Sequence, residues 1–203
     1  ENFNGLAQYE AENEEPFRFG SYTTLGEIYI ETGLSEVGMK NYQRILSLDS
    51  ALAVVRFQKD GVQYERISFA SYPDSVMVLK FSADRPGMQN LTFSYAGNPE
   101  AEGKIVPQGN NGLLYTGKLE NNQMEFALCI HAHAKGGSIQ TTSEGKLIIR
   151  NADEVVFLLT ADTDYRINFN PDFNDPKTYV GVQPQTSVLA MMDTAEKHSY
   201  NEL

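Results

Sequence analysis

From position 26 to about position 160 the apolar residues recur every second residue in short runs, and Gly, Pro, Asp or Asn closes each run. Successive side chains of a strand leave opposite faces, so this rhythm belongs to strands half-buried against a core. The runs are 26–31, 38–49, 51–58, 62–72, 75–83, 89–96, 113–119, 124–134, 138–142, 146–149 and 154–160. No helical pattern intervenes between them, which argues for a mainly β chain with antiparallel strands in a two-sheet sandwich. In the run 38–49, Tyr42, Arg44, Leu46 and Leu48 point one way while Ile45 and Ser47 point the other. Lys59-Asp60-Gly61 puts a glycine where a hairpin turn needs positive φ, so 51–58 pairs with 62–72. Val76, Val78 and Phe81 form a near-continuous apolar stretch, the mark of a strand buried on both faces. Between 97 and 112 only Ile105-Val106 stands out, which predicts at most a short strand in a long loop. Gly136-Gly137 reads as a hairpin turn.

The two ends have another texture. Phe3, Leu6 and Ala7 fit a short helix that unwinds before Pro16. Residues 165–185 are rich in Asn, Asp and Pro and read as irregular. In 186–203, Val188, Met191, Met192 and Ala195 recur at three and four residue intervals, which predicts a helix with Thr186 or Ser187 as N-cap. The chain therefore divides into 1–18, a helical or loop segment; 19–185, a β-sandwich; and 186–203, the start of a linker helix. The first residue is not Met, and no Gly or Pro ends the last helix. Both features raise the expectation of a segment from a longer parent.

Composition removes several function classes. The 203 residues are 41% hydrophobic, enough for a packed core, and carry 27 acidic against 16 basic side chains for a net charge of −11. Such a balance repels phosphate backbones and anionic lipid, so neither nucleic acid nor a membrane is an expected partner. The single cysteine, Cys129, allows no intrachain disulfide and no thiolate zinc site, and its apolar neighbours place it in the core. No apolar run approaches the roughly 20 residues of a membrane span, and this segment opens on no signal peptide.

Two clusters invite a chemical reading. His131 and His133 leave one face of a strand, as in some metal sites, but only His198 on a distant helix offers a third imidazole. The plainer reading is a pair of polar-face residues. Asp162, Asp164, Asn168, Asn170, Asp172, Asn174 and Asp175 supply the hard oxygens that Ca²⁺ requires. They lack the glycine turn and closing Glu of a calcium loop, and Asx residues are also the common currency of turns, so a solvated loop is the plainer reading. Among 27 acids, spacing selects no pair for sugar hydrolysis. Nucleophile elbow, P-loop and dinucleotide fingerprint are absent, since the GNNG of 109–112 precedes no helix. Asn90-Leu91-Thr92 fits a glycosylation sequon inside a strand. No residue is assigned as catalytic, cofactor-binding or metal-binding, and no cofactor is expected.

The longer strings are more specific. Residues 19–30, Phe-Gly-Ser-Tyr-Thr-Thr-Leu-Gly-Glu-Ile-Tyr-Ile, resemble the "GSYxxLGDLxL" segment of the N-terminal domain of glycoside hydrolase family 95 α-L-fucosidases. Tyr42, Arg44, Leu46, Leu48, Asp49 and Ala51 are similar to its "YxRxLDLxxA". The runs 60–66 and 69–74 are similar to "DGVxYxRExFASxPD", and 152–165 to "ADxVxLxLxAxTxY". The last helix, with His198 and Tyr200, resembles the linker that leads to a catalytic domain. The resemblance covers the chain from about Phe19 onward and lacks the strands and "LGNG"-type string that usually open the domain.

That resemblance implies a supersandwich of the galactose-mutarotase-like type, packed in the parent against an (α/α)₆ catalytic domain. It implies hydrolysis of terminal α-1,2-linked L-fucose, or related L-galactose, from glycans with inversion, and a secreted or periplasmic parent. The acid and base of that chemistry belong to the catalytic domain, so this segment alone is expected to be inactive. A long polar loop, 165–177, is the candidate to reach that domain's cleft. A free-standing carbohydrate-binding sandwich and the sandwich of a related α-glucoside phosphorylase are the alternatives.

Overall fold

Asp60 and Gly61 both take positive φ, 52° and 76°, and close a two-residue turn between β3 (Leu52–Lys59) and β4 (Val62–Ser71). Positive φ at both central residues gives a turn whose twist matches that of the strands, so the register is fixed at Lys59 opposite Val62. This hairpin sits in a computed structural model that describes residues 23–203 apart from Asn121, Phe173 and Pro176. The helix expected over 1–18 lies outside the described residues.

Among the described residues the remaining strands are β1 (Gly26–Glu31), β2 (Lys40–Ser47), β5 (Val76–Ala83), β6 (Gln89–Gly97), β7 (Ala101–Gln108), β8 (Gly112–Leu119), β9 (Glu125–Lys135), β10 (Ser138–Thr141), β11 (Lys146–Ala152) and β12 (Glu154–Thr163), followed by the helix α1 (Pro184–Ala195). They form two antiparallel sheets, one of eight strands in the order β2-β3-β4-β5-β12-β9-β8-β7 and one of four in the order β1-β6-β11-β10. The two-sheet sandwich read from the apolar rhythm is the observed fold.

The core between the sheets is built on Phe157, fully buried, with the Phe93 ring at 5.1 Å and the Phe81 ring edge-on at 5.9 Å. Leu113, Ile130, Leu147 and Ile149 fill the space around them. The apolar run of β12 divides between two faces. Val155, Phe157 and Leu159 point into the sandwich, and Leu158 points out beneath α1. β5 behaves alike, with Phe81 inside and Val78 under the helix, so the strand expected to be buried on both faces is. On α1, Val188, Met192 and Ala195 recur at i, i+4 and i+7 and close over Val78, Cys129 and Leu158.

Three expectations need correction. The segment read as a loop with a short strand at Ile105-Val106 is β7, a full edge strand paired with β8 from Ala101 to Gln108. Its inward positions are Ala101, Gly103 and Ile105. Gly103 is needed there because a Cβ would lie 2.0 Å from the Tyr115 hydroxyl, and a small inward residue hides the alternation. Pro107 is tolerated because the strand is an edge.

Gly136-Gly137 does not turn a hairpin but carries the chain from β9 in one sheet to β10 in the other. The glycines serve the crossing, where Gly137 passes so close to β11 that a Cβ would stand 2.1 Å from the Arg150 carbonyl oxygen. The last helix spans Pro184–Ala195 rather than 186–203, with Gln183 as N-cap and Pro184 opening the first turn. Neither Thr186 nor Ser187 caps it, the Ser187 hydroxyl being bound to Asp162, and turns occupy most of the residues beyond Ala195.

Candidate functional site

α1 lies across the outer face of β12 and β9, tied by the Thr160 hydroxyl donating to the Val188 carbonyl at 2.8 Å. Its C-cap residue, Glu196, reaches the outward row of β9. His131 Nδ1 stands 2.7 Å and His133 Nε2 3.1 Å from the same Glu196 carboxylate oxygen. A carboxylate only accepts, so both facing ring nitrogens carry their protons and Glu196 fixes both tautomers. The lone pairs then fall on the nitrogens turned away from Glu196, His131 Nε2 and His133 Nδ1. Among the described residues no group of three His, Cys, Asp or Glu is arranged to hold a metal ion. His198 is elsewhere, 3.8 Å from Asp74.

The His131 ring rests on Gly112, where a Cβ would come within 2.6 Å of it. Glu196 was invisible to spacing, although a carboxylate at a helix C-terminus, where the helix dipole disfavours it, is a signal that something pairs with it. Glu196→Ala leaves both imidazole N–H groups without their acceptor and is expected to cost about 1–2 kcal/mol in urea unfolding. Glu196→Gln keeps an accepting oxygen and should stay within about 0.5 kcal/mol of the parent sequence; equal losses from the two substitutions would show the contact to be incidental.

Cys129 lies in the same outward row, fully buried under α1. Burial, reinforced by the carboxylates of Glu196 and Asp193, pushes its thiol up from 9.0 to about 12. The native state thus keeps its proton while the unfolded chain loses it. The stability this confers is whole below pH 9 and declines as pH rises toward about 12. Cys129 is expected to resist iodoacetamide at pH 8 until the protein is unfolded, as read by mass spectrometry.

The Asx-rich segment spends its oxygens partly on its own backbone and partly on β9 and α1. Asn168, Asp172 and Asp175 accept from the N–H groups of Asn170, Asn174 and Lys177 at 2.9–3.0 Å, and Asp164 accepts from Glu125 N–H at 3.1 Å. Burial raises the Asp164 carboxyl above its usual range. Tyr165 pairs with Val180 in an isolated bridge and stacks on Tyr179 at 5.9 Å. This is the geometry of a self-bonded excursion. It is less polar in presentation than its composition, because Phe169 is 90% exposed beside an exposed Ile167. Between this loop's end and the rim of β7–β9 lies an open groove of about 420 Å³ walled by Glu102, Lys104, Thr116, Lys118 and Gln183. Its walls are charged and polar side chains with Phe126 among them, and no tyrosine lines it.

The family model "Glycosyl hydrolase family 65, N-terminal domain" matches residues 3–168. The chain belongs to that family. As a family 65 N-terminal domain it is 24% identical to "Alpha-L-fucosidase 2" of Arabidopsis thaliana over 90% of its length. It is 29% identical to "Probable alpha-fucosidase A" of Aspergillus niger (strain ATCC MYA-4892 / CBS 513.88 / FGSC A1513) over 94%. It spans 24% of the length of each. Among solved structures, "Putative kojibiose phosphorylase from human microbiome" superimposes with a TM-score of 0.53 at 16% identity, over 86% of this chain and 25% of that one. That likeness is one of fold.

Proposed function

We propose that the chain is the non-catalytic N-terminal β-sandwich of an inverting α-L-fucosidase of the family 95 type. The parent releases terminal α-1,2-linked L-fucose, or L-galactose, from glycans outside the cytoplasm. The acid and base would reside in an (α/α)₆ domain of the parent, α1 leading toward it. One observation carries this reading: both curated relatives bear fucosidase names and align with 90% and 94% of the chain. The loop 165–177 is the element that would reach the catalytic cleft, since it is held by its own hydrogen bonds yet presents Ile167 and Phe169 to solvent.

The test is the full-length parent on 2′-fucosyllactose without phosphate, the first-formed anomer followed by NMR. Release of β-L-fucose supports the proposal. Activity on α-glucosides that demands phosphate would replace it with the phosphorylase. Deleting 166–177 should lower kcat/KM, and unchanged activity would remove the loop's role. Heat of binding when the 203 residues are titrated with 2′-fucosyllactose would favour the carbohydrate-binding reading.

A further inference from the structure

From Glu196, which sits on His131 and His133 of β9, the residues that follow α1 continue across the outer face of the large sheet. His198 stands 3.8 Å from Asp74 in the turn between β4 and β5. The Tyr200 ring meets Phe69 of β4 edge-on at 5.8 Å, with the Lys80 ammonium of β5 4.2 Å from its centre. Lys80 in turn pairs at 2.8 Å with Glu154 of β12.

The register places these anchors on two adjacent rows that run across the strands. Phe69, Val78, Leu158 and His131 are successive cross-strand partners, and so are Ile67, Lys80, Val156 and His133. Residues 196–203 therefore bridge β9 to β4 and pass over the pairing of β5 with β12. Inside the sandwich that seam is crossed by Phe81, edge-on to Phe157. On the outer side Tyr200 and Leu203 pack against the cluster of Val78 and Leu158, one residue from each flank of the seam.

The bridging segment is also closed on itself. The N–H groups of Glu202 and Leu203 donate to the Ser199 carbonyl at 2.9 and 3.2 Å, and the Ser199 N–H and hydroxyl donate to the Glu202 carboxylate at 2.8 and 2.7 Å. A turn already ordered by its own hydrogen bonds loses little further entropy when it grips the sheet. Its grips lie on both sides of the seam, so parting β5 from β12 must break the hold on β9 or the hold on β4 and β5.

We propose that residues 196–203 are a strap that locks the seam between β5 and β12, so that the two halves of the large sheet part only when the strap lets go. Native-state hydrogen exchange of the 203-residue chain across low urea concentrations tests this. The Glu202 and Leu203 amides and the facing amides of β5 and β12 are expected to share one opening free energy and one urea slope, as members of a single opening unit. Tyr200→Ala takes the ring from Phe69 and Lys80 and should speed exchange in both sets by about tenfold, while Tyr200→Phe keeps the ring and leaves both as they were. Strap amides that open with a separate, lower free energy, or that speed up in Tyr200→Ala while the seam does not, overturn the proposal. The comparison of slopes needs no variant, so it decides the matter even if Tyr200→Ala does not fold.

Discussion

Phe157→Ala should lower the Tm by about 10 °C, the largest loss expected from any single core truncation in this domain. The ring is fully buried at the centre of the sandwich, packed at a tilt against Phe93 and met edge-on by Phe81. Its removal leaves a cavity that strand backbones cannot close, because β12 is hydrogen-bonded on both sides, to β5 and to β9. Cavities of this kind cost about 3–5 kcal/mol, and a domain near 200 residues moves about 2–4 °C per kcal/mol. Differential scanning calorimetry reads the shift. A change under about 2 °C would mean that the core repacks freely, contrary to the close packing described.

Gly137→Ala should be nearly as damaging, for a reason of geometry rather than volume. The added Cβ would meet the Arg150 carbonyl oxygen at 2.1 Å and the Ala152 nitrogen at 2.6 Å, both backbone atoms of β11, with φ at +64°. Gly33 provides the control, since its φ of +66° is the same but no atom lies within 4 Å of its Cβ. Gly33→Ala should cost about 1 kcal/mol for conformation alone, and Gly137→Ala about 3 kcal/mol or more once the crowding is added. Urea unfolding of the two variants side by side separates the terms, and equal losses would deny the close approach of Gly137 to β11.

Much of the sandwich was legible in the chain because its strands carry their own instructions. Lys59-Asp60-Gly61 marks a turn whose chemistry leaves little choice, and the apolar stretch of Val76, Val78 and Phe81 in β5 states burial on two faces. What was hidden depended on residues far apart in sequence. β7 escaped notice because Gly103 yields its inward place to Tyr115, a neighbour that spacing cannot name. The two glycines at 136–137 have the composition of a hairpin, and only the pairing of β9 with β12 shows that the chain leaves the sheet there. His131 and His133 were visible as a pair, but Glu196, which fixes their tautomers, arrives from α1 across 63 residues of chain from His133.

The order of strands in the large sheet also sets an order in time. β2 to β5 are successive hairpins, β7 to β9 are another set, and β12 returns to β9 after a short detour. Such local pairings close small loops and form early, whereas the seam between β5 and β12 joins residues more than 70 apart, as in Val78 with Leu158. Two half-sheets would therefore assemble separately and join along that seam in the slow step. Pulse-labelled hydrogen exchange should find the amides of β3 and β4 protected before those of β5 that face β12; simultaneous protection of both would mean that the molecule folds in one motion.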